Sequence, residues 1–129
     1  MSQRTAAIVA PTLLALSLIA APVAAAPGEM NVATFLSKVE ALQAKGMMAM
    51  LSPDVSLLKQ TVQNAGTAYK ARLAQEKAAG HPSSCPPTPA SFNSNQLIAH
   101  LKSYPAPDRG RLGMNAAISD FFRKTWPCR

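Results

Sequence analysis

Two cysteines, two histidines, six acids and a methionine-rich run are the residues of this 129-residue chain that could do chemistry. Cys85 and Cys128 could form a disulfide, a redox-active thiol pair or part of a metal site. Neither has a cysteine partner at C-x-x-C spacing, and two cysteines fall short of a four-thiolate zinc site. A nucleophilic centre built on His81 or His100 would need a Ser or Cys beside the imidazole and an acid to orient it. Ser83 and Ser84 neighbour His81, but in a proline-rich stretch with no motif around them. His100 falls two residues after Ile98, off the apolar stripe, and reads as a solvated helix residue. Glu29, Glu40, Asp54, Glu76, Asp108 and Asp120 are spaced so that no two share a helix face, and nothing marks a paired-carboxylate site. The six glycines are dispersed, so no phosphate-cradling loop exists. No catalytic residue, metal or cofactor is therefore assigned, and the chain reads as a non-enzyme. Met47, Met48 and Met50 carry thioethers that suit copper(I), yet no histidine or further methionine lies near them in sequence. With Leu51 they read more simply as an adaptable apolar patch, packed on the core or on a partner. Left exposed, such a patch is a protein-binding surface.

The compartment is written at the N-terminus. Arg4 precedes an apolar stretch centred on Leu13, Leu14, Leu16, Leu18 and Ile19, and small residues follow from Ala21 to Ala26. This is the three-part pattern of a secretory signal peptide. Pro27 disfavours cutting after Ala26, so residues 1–25 are the expected leader, with Val23 and Ala25 at the −3 and −1 positions. Pro11 and Pro22 interrupt the apolar run, which argues against a membrane anchor. Residues 26–129 then form one exported domain, periplasmic or secreted, with no later segment able to span a bilayer. The chain has 13 Lys and Arg against 6 Asp and Glu. The charges are scattered, and export makes nucleic acid an unsuitable partner; the positive excess reads as solubility.

At 48% hydrophobic the chain is too apolar for disorder, and its 11 prolines exclude one uninterrupted helix. Four helices are predicted, in a small all-α bundle of four to five helices. The first spans Val32 to Lys45: Asn31 caps it, Gly46 stops it, and Val32, Phe35, Leu36, Val39 and Leu42 form its apolar stripe. Ser52-Pro53-Asp54 restarts the chain as a helix running to about Ala79, with Ser52 at the cap and Pro53 at the first position. Its seam is Val55, Leu58, Val62, Ala65, Tyr69 and Leu73. Gly66 inside it costs about 1 kcal/mol against Ala, which a close helix crossing would explain. Pro82, Pro86, Pro87 and Pro89 keep residues 81–90 out of a helix. A third helix runs from about Asn95 to Ser103, capped by Asn93 or Ser94, with Leu97, Ile98 and Leu101 inward. Tyr104-Pro105-Ala106-Pro107 breaks it. The fourth covers about Leu112 to Thr125, with Met114, Ala117, Ile118, Phe121 and Phe122 on one face and Trp126 beyond.

For an exported chain the default state of Cys85 and Cys128 is a disulfide. One lies just before the third helix and the other just after the fourth, and two antiparallel helices of similar length bring such ends together. The bridge closes a loop of about 44 residues, for which the chain-entropy argument gives up to about 4 kcal/mol.

The order Cys85-Pro86-Pro87, then Leu97-Ile98-x-x-Leu101 with Tyr104-Pro105, then Trp126-Pro127-Cys128 resembles the Tai-type family of type VI secretion amidase-immunity proteins. The resemblance covers residues 85–129. It implies a small exported helical protein, often a homodimer, that neutralises a peptidoglycan-cleaving amidase by plugging its cleft. The expectation is an exported binding protein whose partner is a cell-wall hydrolase. The alternative is a periplasmic acid or stress chaperone, with Met47 to Leu51 as its client surface.

Overall fold

The computed structural model describes residues 24–129. The expected leader lies outside the described residues except for Ala24 and Ala25. Five α-helices follow in order: α1 Val32–Lys45, α2 Pro53–Ala78, α3 Ser94–Ser103, α4 Ala106–Arg109 and α5 Met114–Thr125, with a 3-10 helix, Gly46–Leu51, between α1 and α2. Among the described residues the only sheet-like pairings are two isolated antiparallel bridges, so the fold is the all-α bundle that the stripes predict.

The caps sit where short-range chemistry puts them. Asn31 Oδ1 accepts from the Thr34 amide at 2.8 Å. Ser52 caps α2 with Pro53 at its start. Asn93 and Gln96 exchange side-chain and backbone hydrogen bonds in a capping box, which selects Asn93 over Ser94. One turn was not anticipated. The segment expected only to break the chain forms the short α4, because Pro107 falls in a first helical turn, where its missing N–H has no partner to lose.

The core is the meeting of the predicted stripes. Val32, Phe35, Leu36 and Val39 of α1 are buried, as are Leu97 and Leu101 of α3. Ala65, Tyr69 and Leu73 of α2 face the α5 stripe of Met114, Ala117, Ile118, Phe121 and Phe122, while Leu58 lies beside Phe35, Val39 and Leu97. Tyr69 stacks on Phe122 with ring centres 4.9 Å apart. Its hydroxyl, which burial would otherwise orphan, is hydrogen-bonded to Ser83 and to the fully buried Ser84. That contact pins the proline-rich segment onto α2. Gly66 makes no close crossing: a Cβ there would meet nothing within 4 Å.

Both ends of α5 are tied. At its C-terminal end Cys85 and Cys128 form the disulfide, with Cα atoms 4.9 Å apart, and the Cys85 amide donates to the Trp126 carbonyl at 2.8 Å. At its N-terminal end the Glu29 carboxylate accepts from the Asn115 amide at 2.6 Å and from the Ala26 amide at 3.0 Å. An anion at that position complements the helix dipole. The carboxylate occupies the space where a side chain at residue 113 would begin: a Cβ on Gly113 would lie 2.6 Å from the Glu29 carboxyl carbon. The Val32 amide and the Leu112 carbonyl join the same seam at 2.9 Å.

Two outcomes test this frame. Gly113→Ala expels Glu29 from the helix end and should lower unfolding free energy by about 1–2 kcal/mol in a urea titration, whereas Gly110→Ala, which meets open space, should not. Adding reductant to the oxidised protein should cost up to about 4 kcal/mol in the same titration.

Candidate functional site

The four residues singled out as a patch stand in the solvent. Met47 is 92% exposed, Met48 65%, Met50 79% and Leu51 78%. Their exposure follows from how the turn is held. Gly46, with φ of +56°, ends α1 in a conformation that L side chains rarely adopt. Ser52 then starts α2 six residues later, too soon for the run between them to fold back on the core. The base of the turn is clamped: Lys38 Nζ meets Asp54 Oδ1 at 2.7 Å, and Lys45 Nζ reaches Ser52 Oγ at 3.4 Å. The Lys38 ammonium holds the Asp54 carboxyl below its ordinary range. Leu57 on α2 is a further large apolar residue in solvent, 40% exposed. The result is an apolar knob on a fixed stem rather than a loose loop.

The groups considered for catalysis do not converge. Ser83 and Ser84 turn to Tyr69, and His81 is exposed. Among the described residues no group of three or more His, Cys, Asp or Glu side chains is placed to hold a metal ion. Cys85 and Cys128 are joined, so neither is a free thiol.

His100 differs from the sequence expectation. It is not a solvated helix residue: its side chain is 10% exposed. Nε2 is 2.9 Å from the Tyr104 hydroxyl and 3.5 Å from Asp120 Oδ2, and the ring stands edge-on to Phe121. Tyr104 in turn donates to Asp120 Oδ2 at 2.7 Å. The stripe rule missed this because Tyr104 ends α3 and folds its ring back along it. His100 and Tyr104, four residues apart, thus close over α5 together. Burial pushes the His100 imidazole below its ordinary value, against the pull of Asp120. Burial and the neighbouring carboxylate both push the Tyr104 phenol up. Burial alone would raise Asp120, but the Tyr104 hydroxyl and the Lys124 ammonium, 2.9 Å away, hold it low. The cluster is a polar tie between α3 and α5, with its hydroxyl and carboxylate committed to each other.

A second apolar surface is an open groove beside α2, found only once α3 is in place. Phe35, Val39, Leu58, Val62, Leu97 and Ile98 line a cavity of about 440 Å3 on one side of Phe92. A cavity of about 230 Å3 lies on its other side, over Gly66, Ile118 and Phe122. No acid lines either one; the charged residues there are Lys59 and Lys70.

The class so defined is a small disulfide-stapled helical bundle that presents apolar surface on a fixed scaffold. No family model, curated protein or solved structure matches the chain.

The polar tie has a pH signature. A histidine whose folded pKa lies below the ordinary 6.5 gives stability that is complete above pH 6.5 and is lost as pH falls below it. A depressed Asp120 gives stability that is complete above 3.8 and is lost as pH falls through its folded pKa. Both act in one direction. The melting temperature should fall by a few degrees between pH 7 and 5, and again below pH 4. His100→Gln should flatten the first step and leave the second; a wild-type melting temperature constant from pH 7 to 5 would count against the reading.

Proposed function

We propose that this chain is an exported, non-catalytic binding protein that inserts the Met47–Leu51 turn into an apolar cleft of a protein partner. The observation that carries the reading is the turn itself: four large apolar side chains held in solvent between two capped, ion-paired helix ends. Apolar area of that kind is costly to leave in water unless something covers it. A rigid stem also reduces the ordering cost of binding. Methionine's flexible thioether suits a surface that must fit a cleft it did not fold against.

Export is supported by the leader pattern, by the disulfide and by the Glu29 latch. Cutting after Ala25 would free the Ala26 nitrogen as an ammonium 3.0 Å from a carboxylate that has no cationic partner among the described residues. The partner class comes from the resemblance of residues 85–129 to amidase-immunity proteins: a peptidoglycan-cleaving amidase, with the knob as the plug. Inhibition needs only a stable obstruction.

The test is an amidase assay on purified peptidoglycan with the oxidised protein added in stoichiometric excess. The wild type should suppress cleavage by at least one member of a panel of peptidoglycan amidases. Met47→Asp with Met50→Asp should weaken binding by about 100-fold while leaving the melting temperature within a degree or two, since both residues are exposed. Full inhibition by that double variant would remove the knob from the interface; no inhibition of any such amidase by the wild type would remove the partner class.

One observation favours a second reading. His100 is buried beside Tyr104 and Asp120, and burial opposes its protonation, so acid would act against this contact as an acid-released chaperone would need. Suppression of client aggregation at pH 5 but not at pH 7 would support it, and equal inactivity at both would dismiss it.

A further inference from the structure

We propose that the groove along α2 binds the acyl chain of a free long-chain fatty carboxylate, with Lys59 or Lys70 meeting its head group. Three independent features of the groove argue for such a ligand. The first is shape. Two cavities, of about 440 and 230 Å3, adjoin at Phe92 and share Val62 and Gln63 as wall. From Lys59 to Lys70 the α2 wall rises about 16 Å. A single alkyl chain can follow such a path along the wall. The lining is apolar with few polar groups, as is usual for small-ligand sites.

The second feature is charge. Lys59 and Lys70 are the only charged residues on the two walls, and neither joins any ion pair among the described residues. A second copy of this chain is a poor occupant. Asp54, Glu76, Asp108 and Asp120 are already paired and Glu29 caps α5, which leaves Glu40 alone to meet the lysines. A carboxylate on an apolar chain answers both the lining and the rim.

The third feature is Gly66. A glycine in the middle of a 26-residue helix weakens it, and elsewhere such a residue is explained by a close crossing. Here nothing lies within 4 Å of the missing Cβ, and the space opens into the smaller cavity. The glycine keeps that end of the groove clear. Phe92, held edge-on against Phe121 with centres 4.9 Å apart, lines both cavities where they adjoin.

The experiment is calorimetric and NMR titration of the oxidised protein with dodecanoate and hexadecanoate below their micellar concentrations. One-to-one saturable binding is expected, with the amide signals of residues 62–66, 92 and 97–98 shifting together. Dodecanol should bind at least about tenfold more weakly than dodecanoate, as should dodecanoate to the Lys59→Ala, Lys70→Ala double variant. Gly66→Leu should abolish binding. Gly66→Ala, the control for folding, should raise the melting temperature by about 4–8 °C and retain binding of the shorter chain. Equal affinity for the alcohol, or unchanged binding by Gly66→Leu, overturns the proposal. So does binding only to phosphatidylglycerol vesicles, which would assign the surface to a membrane. Self-association that Gly66→Leu blocks, without fatty-acid binding, would assign it to a second copy. None of these readouts involves the Met47–Leu51 turn or an amidase, so they stand or fall apart from the function proposed above.

Discussion

Burial of one face of α5 is the constraint on which the rest of the molecule depends. Met114, Ala117, Ile118, Phe121 and Phe122 are all buried, and α2 packs chiefly against them. A domain near 100 residues has a modest core and little stability to spare. Fixing its central post at both ends is therefore an effective use of a few strong interactions. The disulfide holds the end near Cys128, and the Glu29 carboxylate with the antiparallel backbone seam holds the end near Gly113. The two ties are different in kind. The covalent one acts on the unfolded chain by closing a loop. The electrostatic one acts on the folded state by placing an anion against amides that a helix leaves without partners.

Those two ties also differ in how legible they were. The disulfide could be read from two cysteines, a leader and two helices of similar length. Caps at Asn31, Ser52 and Asn93 were readable because each acts within three residues of its own position. The stripes of α1, α3 and α5 were readable because helical period is a local property. By contrast, Glu29 and Asn115 are 86 positions apart, and no periodic rule links them. Gly113 carries a signal only after the fold brings Glu29 over it. His100 was misread for a related reason. The stripe rule counts apolar residues, and a histidine buried beside a tyrosine and an aspartate falls outside that count. Gly66 was noticed, and its explanation was wrong: its neighbour is a void.

The exposed turn and the groove belong to one design. A small bundle that spends its apolar residues on a core would ordinarily bury Met47, Met48, Met50 and Leu51 too. Gly46 and Ser52 prevent it by stopping one helix and starting the next within six residues, and the Lys38–Asp54 pair locks their angle. The groove arises from the opposite deficiency. α3, ten residues long, packs on α1 and α5 rather than along the 26-residue α2, so part of the α2 wall stays uncovered. The proline-rich segment lies against the C-terminal half of α2, and between it and α3 only Phe92 reaches into the groove.

Charge separates the two surfaces. The acids are few, and most are used inside the fold: Asp54 under the knob, Glu76 on the Ser83 amide and Arg72, Asp120 in the polar tie, Glu29 on α5. The cations outnumber them and remain on the outside, so the protein's far field is positive whatever its local pairs do. An anionic partner or ligand is then drawn in at long range and sorted at short range. At the knob it meets thioethers and a leucine, with the nearest lysines already paired or bonded. At the groove it meets two free ammonium groups on an apolar wall. Recognition at the first surface, on the function proposed above, would come from shape. At the second, on the ligand proposed above, it would come from a head group that carries charge.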